Sequence, residues 1–388
     1  GCPVDYEAMD YGYIPGNAQS IYDGWKASPD WSNVAAILGW GSTDSILLAP
    51  QVRDDKKPFL SASYFGGLAS PNPVVRDVTI PELSASTFQE ISFPQHFTSD
   101  GFGYNFFAGT DYSTGSRIGM FHVVTQGGKR VGFFYCSADY CKGPIPAARA
   151  YAKAQGLLLG RDLTVELTDT QSVYDTKVMQ YFMQEKNQAA ADSTYKIVDW
   201  VWGGNTTKTT AYLAKSLAKM NTALGLNVHL IVNNWGFDEN LFGLCGSDCV
   251  DTVHGIMPFV AYGDNRAGEM AKVTALHDKW RQMDAATDGN VTYKNVRYVQ
   301  GYVNVLLFKL AVEKVITSGK SLINGDNIKT ALEEFNGVDT GGLTGRLTYS
   351  PTDHRPQSTE SIYKFNSNGQ LVLESQRTIT MVDDWLGW

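Results

Sequence analysis

The feature that most limits what this chain can fold into is an alternation of short apolar runs with longer amphipathic stretches, starting near residue 34. Residues 34–39 (VAAILG), 57–61 (KPFLS), 130–136 (RVGFFYC), 198–202 (VDWVW) and 227–233 (NVHLIVN) are compact strand candidates. Helical patterns lie between them. Residues 173–186 carry Val178, Tyr181 and Phe182 at helical spacing, and 211–224 set Leu213, Leu217, Met220 and Leu224 on one face before Gly225. The stretch 144–156 opens on prolines and ends on glycine, the asymmetry expected of a helix. Strand, helix and strand repeated in this way predict an α/β fold of doubly wound parallel sheets with helices on both faces.

The pattern changes toward the C-terminus. Residues 296–317 predict one long helix ending near Gly319. Asp326 is placed to cap a further helix with Ile328, Leu332 and Phe335 inward, stopped by Gly337. After Gly341 the chain reads as strands and turns (LTGRLTYS, SIYKF, NSNG, LVLES), which predicts strands added to the edge of one sheet.

At 388 residues the chain exceeds one compact core and fits two units of ~150–200 residues each. The net charge of −8 comes with no run of Lys or Arg, so a nucleic-acid partner lacks the clustered basic face it needs. The longest apolar candidate for a membrane span, 303–312, is short and interrupted by Lys309. No basic, apolar leader stands at the N-terminus, so export would imply a signal already removed.

Cysteine usage points to an oxidising compartment. Cys136 and Cys141 (CSADYC) and Cys245 and Cys249 (CGSDC) form two short-range pairs in loop-like surroundings, the pattern of local disulfides. Rings this small add about 2 kcal/mol each, mainly by pinning a loop. A metal site is the rival reading, with His229 and His254 near the second pair in sequence, but neither pair has the usual zinc spacing. Cys2 is left over, and an odd cysteine in an exported protein implies a partner elsewhere.

Two loops have the character of ligand sites at the C-terminal ends of parallel strands. The first runs Gly39-Trp40-Gly41-Ser42-Thr43-Asp44-Ser45, where glycines admit close approach and Ser42 and Thr43 offer hydroxyls beside helix N-terminal amides. A plain strand-to-helix turn is the competing account. It is neither a P-loop nor a dinucleotide fingerprint, since the lysine of one and the third glycine of the other are missing. The second, Trp202-Gly203-Gly204-Asn205-Thr206-Thr207, follows another strand. It contains a glycosylation sequon, as does Asn290-Val291-Thr292, and both read as accidental. Tyr64, Phe65, Tyr140, Trp235 and Phe237 all stand just past predicted strands, where pocket aromatics sit, though each alone also suits packing.

Catalytic constellations are not found. There is no GxSxG elbow, no HExxH and no cysteine with an evident histidine base. His96, His122, His229, His254, His277 and His354 show no ligand spacing, so no metal is expected, and Asp383-Asp384 read as a solvated turn.

Four segments in order, VAAILGWGSTDSILLAPQVRDDKKPFLSAS, RVGFFYCSADYCKGPIPAARAYAKAQG, DWVWGGNTTKTTAYLAKSLAKMNTALGL and LTGRLTYSPTDHRPQSTESIYKF, resemble the type I periplasmic binding proteins of the leucine/isoleucine/valine-binding kind. The resemblance implies two lobes joined by three crossovers, with ligand in the cleft: lobe 1 at 1–109 and 259–340, lobe 2 at 110–258 and 341–388. It further implies that the family's opening strand and helix, normally ahead of the segment matching 3–33, are missing, with a partner for Cys2 in the missing part. Carried onto this chain, the first-lobe contacts fall on Ser42 or Thr43 and on Ser63, Tyr64 and Phe65. The second-lobe contacts fall on Tyr140 and the loop Gly204-Asn205-Thr206. The family's acidic anchor for an α-amino group falls near Trp235, where the chain reads Asn233-Asn234-Trp235-Gly236 with no carboxylate before Asp238. A buried ammonium without a carboxylate costs several kcal/mol. The expected ligand is therefore a small polar or aromatic molecule, amino-acid-like or an aromatic carboxylate, suited by Trp40, Tyr64 and Trp235.

By this resemblance the chain is the periplasmic solute-binding component of an ABC uptake transporter. It would be a monomer without cofactor or catalysis, and its closed form would dock on a membrane permease. A ligand-sensing receptor ectodomain of the same fold is the alternative, and a doubly wound enzyme such as an oxidoreductase is the reading from another class.

Overall fold

Apolar runs flanked by helices become parallel strands because both faces of such a strand must be covered. A computed structural model describes residues 4–69, 74–99, 103–280, 293–320 and 323–383. Cys2, the sequon at Asn290–Thr292 and Asp384 lie outside the described residues. The chain opens with α1 (Pro15–Lys26), β1 (Ile37–Gly39), α2 (Ser42–Asp54) and β2 (Phe59–Ser61). A hairpin of β3 (Val74–Leu83) and β4 (Glu90–Ser99) precedes β5 (Asn105–Phe107). Next come α3 (Tyr112–Thr125), β6 (Arg130–Tyr135), α4 (Asp139–Lys142), α5 (Ile145–Ala154), β7 (Leu158–Thr164) and α6 (Gln171–Ala191). They are followed by β8 (Trp200–Gly204), α7 (Thr207–Leu224), β9 (His229–Val232), α8 (Leu241–Cys245) and β10 (Val253–Met257). The chain then runs through α9 (Met270–Trp280), α10 (Val296–Thr317), α11 (Gly325–Glu333), β11 (Thr359–Phe365) and β12 (Leu371–Thr378).

Two parallel sheets result. One has the order β1-β2-β5, and the other is seven-stranded in the order β12-β11-β10-β9-β8-β6-β7. Strands β6 to β10 of the larger sheet pair in parallel, while β11 and β12 close its edge antiparallel, as the late strand pattern predicts. Alternation sends Val131, Phe133, Trp202, Ile231 and Ile256 to one face, beneath α3 and α5. Phe134, Val201, Leu230 and Val232 go to the other, beneath α6 and α7.

Helix α7 ends where expected, at Gly225, whose φ of 64° is left-handed and closes the helix without a Cβ penalty. Two local expectations are corrected. The cap of α11 is Asn324, which accepts the Asn327 amide, and Asp326 sits inside the first turn instead. The segment LTGRLTYS forms only isolated bridges, Phe259 with Thr344, Val338 with Leu347 and Ser350 with Asp353, because its turns leave no run long enough for a ladder. The β3–β4 hairpin has no counterpart in the sequence reading; Pro81 and Pro94 lie within its strands and mask the pattern.

The chain passes from the small sheet to the large one after β5 and returns after β10. Before β11 it lies once more against the small sheet. There His354 stacks on Phe106 at 3.8 Å and donates from Nδ1 to the Asn105 carbonyl at 2.8 Å, while the Tyr349 hydroxyl donates to the Phe107 carbonyl at 2.5 Å.

Candidate functional site

The C-terminal ends of β1, β2, β6, β8 and β9 deliver loops to one region between the sheets. After β1, Gly41 caps α2, and its amide donates to the Asp44 carboxylate. That arrangement leaves Ser42 at the first helical position, where its hydroxyl accepts from Ser63 at 2.8 Å. The Ser42 hydroxyl also stands 3.4 Å from that of Tyr112, at the start of α3. Tyr64, after β2, is fully buried and accepts from the Gln300 side chain at 2.6 Å. Burial pushes the phenols of Tyr64, Tyr112 and Tyr140 above their ordinary value, so all three stay neutral donors.

From the larger sheet, Trp235 follows β9 and crosses the gap. Its ring meets Trp40 edge-on at 5.2 Å, and its indole N–H donates to Tyr112 at 2.7 Å. Thr43 donates to Asp139 of α4 at 2.9 Å, and Phe65 packs against Gly143 beyond the same helix. Tyr140 sits in the loop closed by the disulfide between Cys136 and Cys141; Cys245 and Cys249 form the second bridge. That loop presses on Gly204, where a Cβ would lie 2.9 Å from the Cys141 carbonyl, so glycine is required.

Several buried polar atoms here lack a partner: the Tyr140 hydroxyl, the Asn205 Nδ2 and the Asn233 Nδ2. Buried donors left without a partner cost about 1–3 kcal/mol each. Asn205 is fully buried, so the sequon it opens is closed to modification. Thr206 is taken up by the start of α7, bonded through its amide and hydroxyl to Thr209. Phe237 lies in the core against Gly255 and Phe365.

Sequence reasoning missed Tyr112 and four further participants. Tyr13 and Tyr11 fold over the start of α2, close enough that a Cβ on Gly41 would strike both. Gln300 and Arg297 come from α10, which the sequence presents as a packing helix. The Arg297 guanidinium lies 4.4 Å from the Trp235 ring centroid and donates to the Asn234 carbonyl at 2.6 Å. Among the described residues no carboxylate forms an ion pair with it. The nearby acids are engaged: Asp238 accepts from Thr207 and the Asn240 amide, and Glu239 from the Tyr262 and Val296 amides. Burial lowers the Arg297 pKa from its ordinary value, against the pull of Asp238 and Glu239. The available signal was positional, because a cation in the first turn of a helix opposes the helix dipole.

Comparison with known proteins places this geometry. A family model described as periplasmic binding protein matches residues 1–370. An ABC transporter substrate-binding protein from Aeropyrum pernix is 28% identical with a TM-score of 0.74, covering 98% of this chain and 85% of its own. A branched chain amino acid ABC transporter protein from Thermus thermophilus, solved with bound valine, is 16% identical with a TM-score of 0.70, covering 97% and 85%. A fatty acid ABC transporter substrate-binding protein from Thermomonospora curvata is 17% identical with a TM-score of 0.67, covering 95% and 79%. No curated protein matches by sequence. Among the described residues no helix is long and apolar enough to cross a membrane.

Proposed function

Because this chain belongs to the periplasmic binding protein family, we propose that it is the extracytoplasmic solute-binding component of an ABC uptake transporter, capturing a small acidic molecule between its sheets. The observation that carries the ligand class is Arg297, a half-buried cation stacked on Trp235 with its neighbouring acids already engaged. A ligand carboxylate would complete it, and the rings of Trp40, Trp235 and Tyr64 would flank a planar or aromatic body. The free Tyr140 hydroxyl and Asn205 amide nitrogen would donate to the same ligand from the opposite side.

The lobe division is part of this reading: 1–109 with 259–340, and 110–258 with 341–388. The contacts of His354 and Tyr349 favour counting residues up to 356 with the first lobe. Ligand closes the lobes only if it binds the closed arrangement more tightly than the open one, and Trp40 against Trp235 is the contact such closure makes. The closed form would dock on the permease as a monomer, without catalysis.

The test is a thermal-shift screen followed by calorimetry. Aromatic and aliphatic carboxylates should raise Tm, while the corresponding amides and esters should not. A strong shift with neutral amides and none with any carboxylate would remove Arg297 from the site.

A further inference from the structure

Three of the six histidines, which show no ligand spacing in the sequence, gather on one face of the larger sheet. His122 lies near the end of α3, His254 near the start of β10 and His229 at the start of β9. Glu374 joins them from β12, two strands beyond β10. His122 is fully buried and His254 is 4% exposed.

The donor atoms converge on a point. The His122 Nε2 is 3.4 Å from the His254 Nδ1 and 3.3 Å from the Glu374 Oε2, and that carboxylate oxygen is 2.6 Å from the His254 Nδ1. Ligands held ~2.0–2.1 Å from a tetrahedral ion stand ~3.3–3.4 Å apart, so two of the three edges already have that length. The third is a hydrogen bond that widens by ~0.7 Å on loading.

A second observation concerns how Glu374 reaches the histidines. The β11–β12 ladder pairs Ile362 with Ser375 and then Tyr363 with Leu373, leaving Glu374 as the extra residue of a β-bulge. In an unbulged strand Ser375 and Glu374 would point to opposite faces. The bulge frees Glu374 from that alternation and aims it at α3, the kind of re-aiming for which bulges are kept beside functional sites.

We infer that His122, His254 and Glu374 form a binding site for one divalent cation of the zinc class, apart from the ligand cleft. Two imidazoles and one carboxylate suit such ions and leave a coordination position open. Burial holds His254 below its ordinary pKa, keeping the imidazole neutral as a ligand must be. Burial opposes ionisation of Glu374, but hydrogen bonds from His122 and His254 prevail and hold its carboxyl well below the usual range. Lys364, paired with His254 in the ladder, is turned to Asp251 at 2.9 Å, and Trp200 walls the cluster against His229 and His254. Tyr112, which touches the cleft, lies ten residues before His122 on α3, about 15 Å along the helix axis. A bound ion would therefore pin α3 to the sheet edge without contacting the solute.

A carboxylate bridging two imidazoles accounts for the same contacts with no ion, and the experiment separates the two. The untagged full chain, stripped with chelator, is titrated with Zn2+ by calorimetry and with Co2+ by visible absorption. One ion per chain with a rise in Tm is expected, weakened at least ~10-fold by Glu374→Gln and by His254→Gln and unchanged by His277→Gln. Glu374→Gln keeps the side chain's shape, so it decides the matter if His254→Gln fails to fold. Absence of saturable binding at micromolar Zn2+, or binding that Glu374→Gln leaves intact, overturns the site.

Discussion

The guanidinium of Arg297 and the indole of Trp235 stack at 4.4 Å, joining the first turn of α10 to the loop after β9. On the proposed lobe division one residue comes from each side, so the pair would combine a charge with the surface on which a planar solute rests.

Replacing Arg297 by Met should separate binding from folding. Affinity for the best carboxylate found in the screen should fall by about 10- to 100-fold in calorimetry, the scale of a charge-assisted pair. The Tm of the ligand-free protein should hold or rise slightly, because a half-buried cation without an ion pair has little to offset its desolvation.

Trp40→Ala and Trp235→Ala should each weaken binding by roughly 2- to 10-fold, since an aromatic pair contributes about 0.5–1.5 kcal/mol beyond its buried area. Small-angle scattering with ligand should show a more open particle for both. If Ser42→Ala and Trp235→Ala leave affinity unchanged, the solute binds elsewhere.

The two disulfides should differ in effect. Cys136→Ser with Cys141→Ser frees the loop carrying Tyr140 and should lower affinity, along with a stability loss of about 2 kcal/mol. Cys245→Ser with Cys249→Ser should cost stability to a similar degree and leave affinity intact.

Glu239 gives a pH signature. Burial raises its pKa to about 7, so the folded protein takes up a proton before the unfolded chain does. The stability this contributes is present below about pH 4.5 and is lost as pH rises through about 7, on the order of 1–3 kcal/mol. The Tm difference between wild type and Glu239→Gln should therefore favour wild type more at pH 5 than at pH 8.

Arg149 is buried between Asp162 and, at 3.6 Å, Glu82 of the hairpin. Burial raises the Asp162 pKa against the pull of this arginine. Arg149→Met should cost about 3–5 kcal/mol at neutral pH in denaturant melts, and less in acid, where Asp162 can protonate.

The α/β class and the larger sheet were legible because period-2 and period-3.6 patterns alternate cleanly from residue 130 onward. Gly225 ends its helix as read, and the cysteine pairs close as read. Loops after strands could be found, since their position follows from topology. Arg297, Tyr112 and the His122, His254 and Glu374 cluster could not, because their partners lie far away in sequence and no local period encodes them. Glu374 is the clearest case: a one-residue irregularity in a ladder decides which way it faces.

The β3–β4 hairpin leaves the small sheet between β2 and β5, yet it rests on α5 and β7 of the large one. Leu83 is buried there, Glu90 pairs with Lys153, and Phe88 lies between Tyr195 and the Arg161 guanidinium. The two sheets, which on the proposed lobe division would swing apart, are thus laced together by the hairpin. Any gape must either carry the hairpin along with the large sheet or peel Glu82, Phe88 and Glu90 from their seats. In the proposed closure, travel would be limited by a stay as well as by a hinge.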